Sequence, residues 1–119
     1  MNDQAYSYIN LDYMNMMSDG DDGMKKVMLE MLLEELPMEL EKMNRLASEA
    51  NWQELGAVSH KMKSTLSFVG NDDMTNSNKG IEMICKTGEG LEGIPDRLGK
   101  LTEKAPFALG ELRLEFERI

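Results

Sequence analysis

Apolar side chains recur at intervals of three and four along most of the chain and nowhere alternate with period two, a pattern that predicts helices and no strands. The clearest stripe is Leu55, Val58, Met62, Leu66 and Val69. At ~100° per residue these five positions share one narrow face. They predict a helix over about 52–70, with Asn51 and Glu54 spaced as in a capping box and Gly70 and Asn71 suited to its C-terminus. Before it, Met28, Leu32, Leu36, Leu40, Met43 and Ala47 form a second stripe in a helical pattern running from residue 24 to about 50. Pro37 lies inside it, yet the stripe keeps its phase, which favours a kinked helix over two abutting ones. Glu30, Glu34, Glu35, Glu39, Glu41 and Lys42 read as its solvated face.

After the central helix, Asp72 and Asp73 open a third long pattern, with Met74, Ile81 and Ile84 or Cys85 inward and Asn76, Lys79 and Glu82 outward. Gly80 weakens that helix unless a neighbour approaches closely there. Residues 87–93 form the loosest connection, rich in glycine. Pro95 suits the first turn of a last helix, whose stripe is Ile94, Leu98, Leu101, Ala105, Ala108, Leu112, Phe116 and Ile119, kinked at Pro106. At the other end, residues 1–9 read as a loosely ordered lead-in, and Asn10 can cap a short helix with Leu11, Met14 and Met17 inward. The expected fold is all-α: one domain over 1–119, an antiparallel up-down four-helix bundle with a short extra N-terminal helix.

Composition narrows the functions. The 119 residues suffice for a single core, and no apolar run approaches the ~18 residues of a membrane span. No secretory leader is visible and the one cysteine, Cys85, cannot form an internal disulfide, so the expected location is the cytoplasm. A net charge of −9 disfavours nucleic acid as a partner. The 12 methionines read chiefly as bundle core, since methionine fills irregular gaps, although it also suits adaptable binding surfaces. Residues 19–30 faintly resemble a calcium loop, but Gly23 stands where a ligand is needed and Met24 where the sharp turn needs glycine. An acidic helix cap is the better reading, and no metal site is expected.

The candidate chemistry sits on the central helix. His60, the only histidine, projects roughly 160° away from the apolar stripe and so faces solvent. Its neighbours on that face are Gly56, Ala57, Lys63, Ser64 and Ser67, all small except the lysine. A large partner can therefore bring a reacting group up to the ring. A free imidazole titrates near pH 6.5, so near neutrality it offers a nitrogen able to attack phosphorus. Lys63, one turn on, can neutralise the oxygens of a resulting phosphoramidate. Phe68 falls on the outer side about two turns beyond His60, either as an interface anchor or tucked against the short first helix. Lys61 is either a steering charge for an acidic partner or a merely solvated lysine. No glycine-rich phosphate loop with a following Lys-Ser or Lys-Thr is present, so nothing here looks like an ATP site, and without a matching motif His60 reads as an incidental surface histidine.

His60-Lys61-Met62-Lys63-Ser64, followed by Gly70, resembles the motif of histidine-containing phosphotransfer (HPt) domains: His, any residue, an apolar residue, Lys, a small residue, and a glycine near the helix end. The order of elements from about residue 9 to 119 resembles the family too. Ser64 departs mildly, since glycine is commonest there. The resemblance implies phosphorylation of the Nε2 nitrogen of His60, with aspartyl phosphates of response-regulator receiver domains as donor and acceptor. It implies no cofactor of the chain's own, because the receiver would supply magnesium and most catalytic groups. A hybrid sensor histidine kinase is the further implied partner, and a monomer is expected. Two alternatives stand beside it. The dimerising bundle of a histidine kinase usually has an acidic residue after its histidine and a proline at the fourth position, where Lys61 and Ser64 stand here. A non-catalytic adaptor would keep the docking face, with Gly56, Ala57, Lys61, Ser64, Ser67 and Phe68, and signal by binding alone.

Overall fold

Stripes spaced three and four apart become helices only if each can bury its apolar face, and four long helices here do so against one another. The computed structural model describes residues 6–119. A short α1 (Asp12–Met17) leads into α2 (Asp22–Ser48), α3 (Trp52–Val69) and α4 (Asp72–Thr87); a 3₁₀ turn (Leu91–Gly93) precedes α5 (Ile94–Arg118). Each of the four long helices packs on two others, α2 on α3 and α5, α4 on α3 and α5. No strand occurs among the described residues. The 27 residues of α2, at ~1.5 Å each, set the 45 Å long axis of the molecule.

Local signals fix the helix ends. Asp21 accepts the Met24 N–H at 2.9 Å and Asn71 that of Met74 at 3.0 Å, each satisfying an orphan donor of the first turn. The acidic run at 19–22 thus ends in a helix cap. Asn10 accepts the Asp12 N–H at 2.9 Å, starting α1. Both α2 and α5 run unbroken through Pro37 and Pro106, and Pro95 lies in the first turn of α5.

The core differs from the expected stripes in detail. All five stripe residues of α3 are buried. In α2, however, Leu29 and Leu46 are buried while Met28 and Ala47 are only partly so, which rotates the inward face slightly. In α4 Ile84 takes the core and Cys85 is half-buried; in α1 Met14 is buried but Met17 is exposed. Methionine as core filler holds for Met14, Met43, Met62 and Met74, whereas Met16, Met17, Met24, Met31, Met38 and Met83 are exposed. Helical periodicity places a methionine on a face without saying whether another element covers that face.

Glu39 corrects the reading of a uniformly solvated α2 face. It is buried, and its Oε1 accepts the Thr65 hydroxyl at 3.0 Å. Its Oε2 lies 3.8 Å from the Lys61 ammonium. Glu39 sits on the flank of α2 that meets α3, so packing of the neighbouring helix removes it from water.

The lead-in is also tied down where it is described; residues 1–5 lie outside the described residues. The Glu111 carboxylate accepts the backbone N–H groups of Ser7, Tyr8 and Ile9, the Tyr8 ring stacks on Phe107, and the Asn10 N–H reaches the Val69 carbonyl at 3.0 Å. Gly70 ends α3 at φ +74, beneath this strap. A Cβ there would come within 2.2 Å of the Asn10 carbonyl oxygen, so glycine answers both the left-handed backbone and the close crossing.

At the same end of the bundle a buried ion cluster joins three segments. Glu115, only 1% exposed, accepts from Lys25 at 2.7 Å, from the Tyr6 hydroxyl at 2.8 Å and from two nitrogens of Arg118 at 2.6 and 2.9 Å. The Arg118 hydrogen bonds, with those from Lys25 and Tyr6, pull its carboxyl down to about 2 despite burial. Burial and the Glu115 carboxylate push the Tyr6 phenol up to about 12. Such a cluster is costly to break because removing one member strands a charge.

Two outcomes follow for stability. Lys25→Met should destabilise the fold by about 3 kcal/mol in urea titration, the low end for a broken buried pair because Arg118 stays on Glu115. A depressed carboxyl stabilises the fold above its unfolded value of 4.5 and loses that contribution as pH falls towards about 2. The Glu115→Gln variant should therefore show a flatter loss of stability across that window, read by circular dichroism at stepped pH.

Candidate functional site

α3 presents the site because both its ends are fixed and its inner face is fully used. Asn51 accepts the Glu54 N–H at 3.3 Å, and the Gly70 N–H bonds to Leu66 at the other end. With the apolar stripe inward, His60 lies outward with its side chain 70% exposed.

α4 supplies what sequence reasoning missed. Glu82, read as merely outward-facing, places Oε2 2.6 Å from His60 Nδ1 and Oε1 3.4 Å from the Lys63 ammonium. The His60 hydrogen bond, aided by the charge of Lys63, holds the Glu82 carboxyl below its ordinary value against the effect of burial. Near neutral pH Glu82 is therefore an anion and can only accept a hydrogen bond. Nδ1 must then be the protonated nitrogen. In the neutral ring this leaves the lone pair on Nε2, on the side of the imidazole away from Glu82. His60, Lys63 and Glu82 thus form one contiguous triad of imidazole, ammonium and carboxylate. The only sequence trace of this pairing is Asn78, a polar residue one turn before Glu82 on the inward stripe of α4.

The small residues around His60 divide into two groups. Ala57, Ser64 and Ser67 are exposed, and the Ser67 hydroxyl bonds back to the Ser64 carbonyl at 2.6 Å, lowering the surface further. Gly56 is different. A Cβ on it would lie 3.0 Å from Cys85 Cβ, so this partly exposed glycine also permits close packing of α3 on α4. Lys61 is exposed at its tip yet reaches back towards Glu39. Phe68 is half-buried with its ring 5.2 Å from that of Tyr13, so it does lean on α1.

Phe68 also lines a groove of about 250 Å³ between α2 and α3, with Ser64 and Thr65 on one side and Met28, Met31, Leu32 and Glu35 on the other. Met31 is about half exposed, as are Met24 and Met38, seven residues away on either side along α2. The groove therefore begins one helical turn from His60, at Ser64, and its methionine and phenylalanine side chains extend it across to α2. Among the described residues, no group of three His, Cys, Asp or Glu side chains could hold a metal ion, and no helix is long and apolar enough to cross a membrane.

Comparison with known proteins identifies the family. The family model of the Hpt domain matches residues 27–119, which include α3, α4 and the whole His60-Lys63-Glu82 triad. No curated protein and no solved structure matches the chain. Hpt domains are phosphocarrier modules of two-component phosphorelays, without an ATP site of their own, and interact with receiver domains and kinases. The match covers well over half of the chain, and the protein belongs to the Hpt domain family.

Proposed function

We propose that this protein is a phosphorelay intermediate in which His60 Nε2 accepts a phosphoryl group from the aspartyl phosphate of one receiver domain and passes it to another. The observation that carries this reading is the 2.6 Å contact of an exposed imidazole with Glu82. As Nε2 attacks, the N–P bond forms and the O–P bond to the receiver's aspartate breaks, releasing its carboxylate. The ring keeps its Nδ1 proton and becomes a phosphorylated imidazolium, whose positive charge Glu82 faces. Lys63 turns from Glu82 to the new phosphoryl oxygens. Onward transfer reverses these steps on the next aspartate, and the charged ring is a good leaving group. The chain needs no cofactor for this; magnesium and the remaining catalytic groups belong to the receiver.

The docking face in this proposal is Ala57, Lys61, Ser64, Ser67 and Phe68, extended over the groove by Met28 and Met31. Flexible methionines around an aromatic suit a surface that must accept more than one partner. Gly56 serves this face indirectly, by setting how closely α3 lies on α4. The up-down antiparallel order is supported by cross-helix pairs that run in opposite senses: Lys25 with Glu115 and Asn44 with Thr102 between α2 and α5, and Gly56 with Cys85 and His60 with Glu82 between α3 and α4. We propose a monomer, acting in the cytoplasm with its receivers and an upstream hybrid kinase.

Incubation with a phosphorylated receiver should place acid-labile, base-stable phosphate on the wild type and none on His60→Gln. Lys63→Ala should lower the equilibrium constant for labelling about fivefold, matching the roughly 1 kcal/mol of one exposed charge contact. Binding of receivers with no label on His60 would instead assign the chain to the adaptors. Met31→Glu puts a charge into the groove at an exposed position, so it should weaken receiver binding at least tenfold by calorimetry while leaving the thermal unfolding midpoint in place.

A further inference from the structure

Two polar side chains, Ser59 and Asn78, lie in the α3–α4 interface at 0% and 1% exposure. Neither side chain hydrogen-bonds to a side chain of the triad; the two bond to each other instead. The Ser59 hydroxyl reaches Asn78 Oδ1 at 2.7 Å and the Asn78 carbonyl at 3.1 Å, and the Asn78 amide donates to the Ser59 carbonyl at 2.9 Å. We propose that this clamp is the positioning element of the relay site, fixing α4 against α3 so that Glu82 meets His60 Nδ1; the inference rests on the relay reading above.

Helix geometry gives the clamp its leverage. In an α-helix the carbonyl of residue i accepts the N–H of residue i+4. The Ser59 carbonyl is thus the helical acceptor for Lys63, and the Asn78 carbonyl the acceptor for Glu82. Both carbonyls are also members of the clamp, which therefore joins directly the two backbone turns that carry the cation and the carboxylate. An apolar contact would hold these turns near each other while letting one helix slide or roll by an ångström at little cost. The Ser–Asn pair resists that, because any slip leaves a buried amide or hydroxyl unpaired. Gly56 against Cys85 Cβ, one turn from Ser59, keeps the helices close enough for a glutamate to span the gap. A displacement of ~1 Å would lengthen the 2.6 Å contact beyond hydrogen-bond range.

Removing both polar partners at once tests the clamp without stranding either, and Ser59→Ala/Asn78→Leu keeps the interface filled. Long-range proton–nitrogen NMR of the His60 ring in the isolated protein reports which nitrogen holds the proton. Wild type should show the Nδ1–H form. The double variant, still folded by circular dichroism, should shift towards Nε2–H, in the same direction as Glu82→Ala, and transfer from a phosphorylated receiver should slow about tenfold. In a Glu82→Ala background the clamp substitutions should slow transfer no further, because their effect passes through Glu82. Should the double variant fail to fold, Ser59→Ala alone removes one hydroxyl and should give a smaller shift of the same sign. A folded variant with the wild-type ring signature would overturn the clamp, as would an equal slowing with and without Glu82. The ring measurement needs no phosphoryl donor. An altered ring in a protein that no receiver labels would uphold the clamp and sink the relay reading; a labelled protein with an unaltered ring would do the reverse.

Discussion

The site depends on how closely α3 and α4 lie together. An isolated surface imidazole is free to rotate and to carry its proton on either nitrogen. Here a carboxylate from the neighbouring helix takes Nδ1 at 2.6 Å, and that single contact selects the tautomer, orients the ring and leaves the lone pair on Nε2, the nucleophile of the proposed relay. Glutamate can do this only because Gly56 lets the backbones approach and because Ser59 and Asn78 pair beneath the surface. The reactive group thus comes from one helix and its chemical state from another. Such preorganisation leaves little to be arranged when a partner arrives.

Charge is distributed with a similar economy. The acidic surface implied by a net charge of −9 is interrupted near His60 by Lys61 and Lys63. In the free protein each has a carboxylate within reach, Glu39 at 3.8 Å and Glu82 at 3.4 Å. At the end of the bundle where α2 begins, Lys25, Arg118 and Tyr6 converge on Glu115, fastening the N-terminal strap and the last turn of α5 to the start of α2. One ionic group is exposed and poised for chemistry; the other is buried and structural. The difference is solvent access: a partner can reach Lys63, whereas Lys25 and Glu115 are sealed inside the bundle.

Much of this was legible in the sequence, and the rest was not for identifiable reasons. The stripe from Leu55 to Val69 gave both the extent of α3 and the outward aspect of His60, because a single helix fixes its own faces. The Asn51 and Gly70 boundaries followed from local backbone chemistry. What escaped depends on pairing between helices. Glu82 looks like any outer glutamate until α4 is set against α3, and Glu39 and Glu115 look solvated until another helix covers them. The close approach of Cys85 to Gly56 escaped for the same reason. The exposed methionines show the converse, since Met24, Met31 and Met38 satisfy helical spacing yet find no helix above them. Periodicity reports what one helix would prefer to bury, and the bundle decides what it does bury.

The most direct measurement is the position of phosphorus on the ring. Protein labelled with nitrogen-15 in its one histidine, phosphorylated by a receiver and examined by long-range proton–nitrogen correlation, distinguishes the two phosphohistidine isomers. The account predicts phosphorus on Nε2, with Nδ1 still protonated towards Glu82. Phosphorus on Nδ1, or on any residue other than His60, would contradict it.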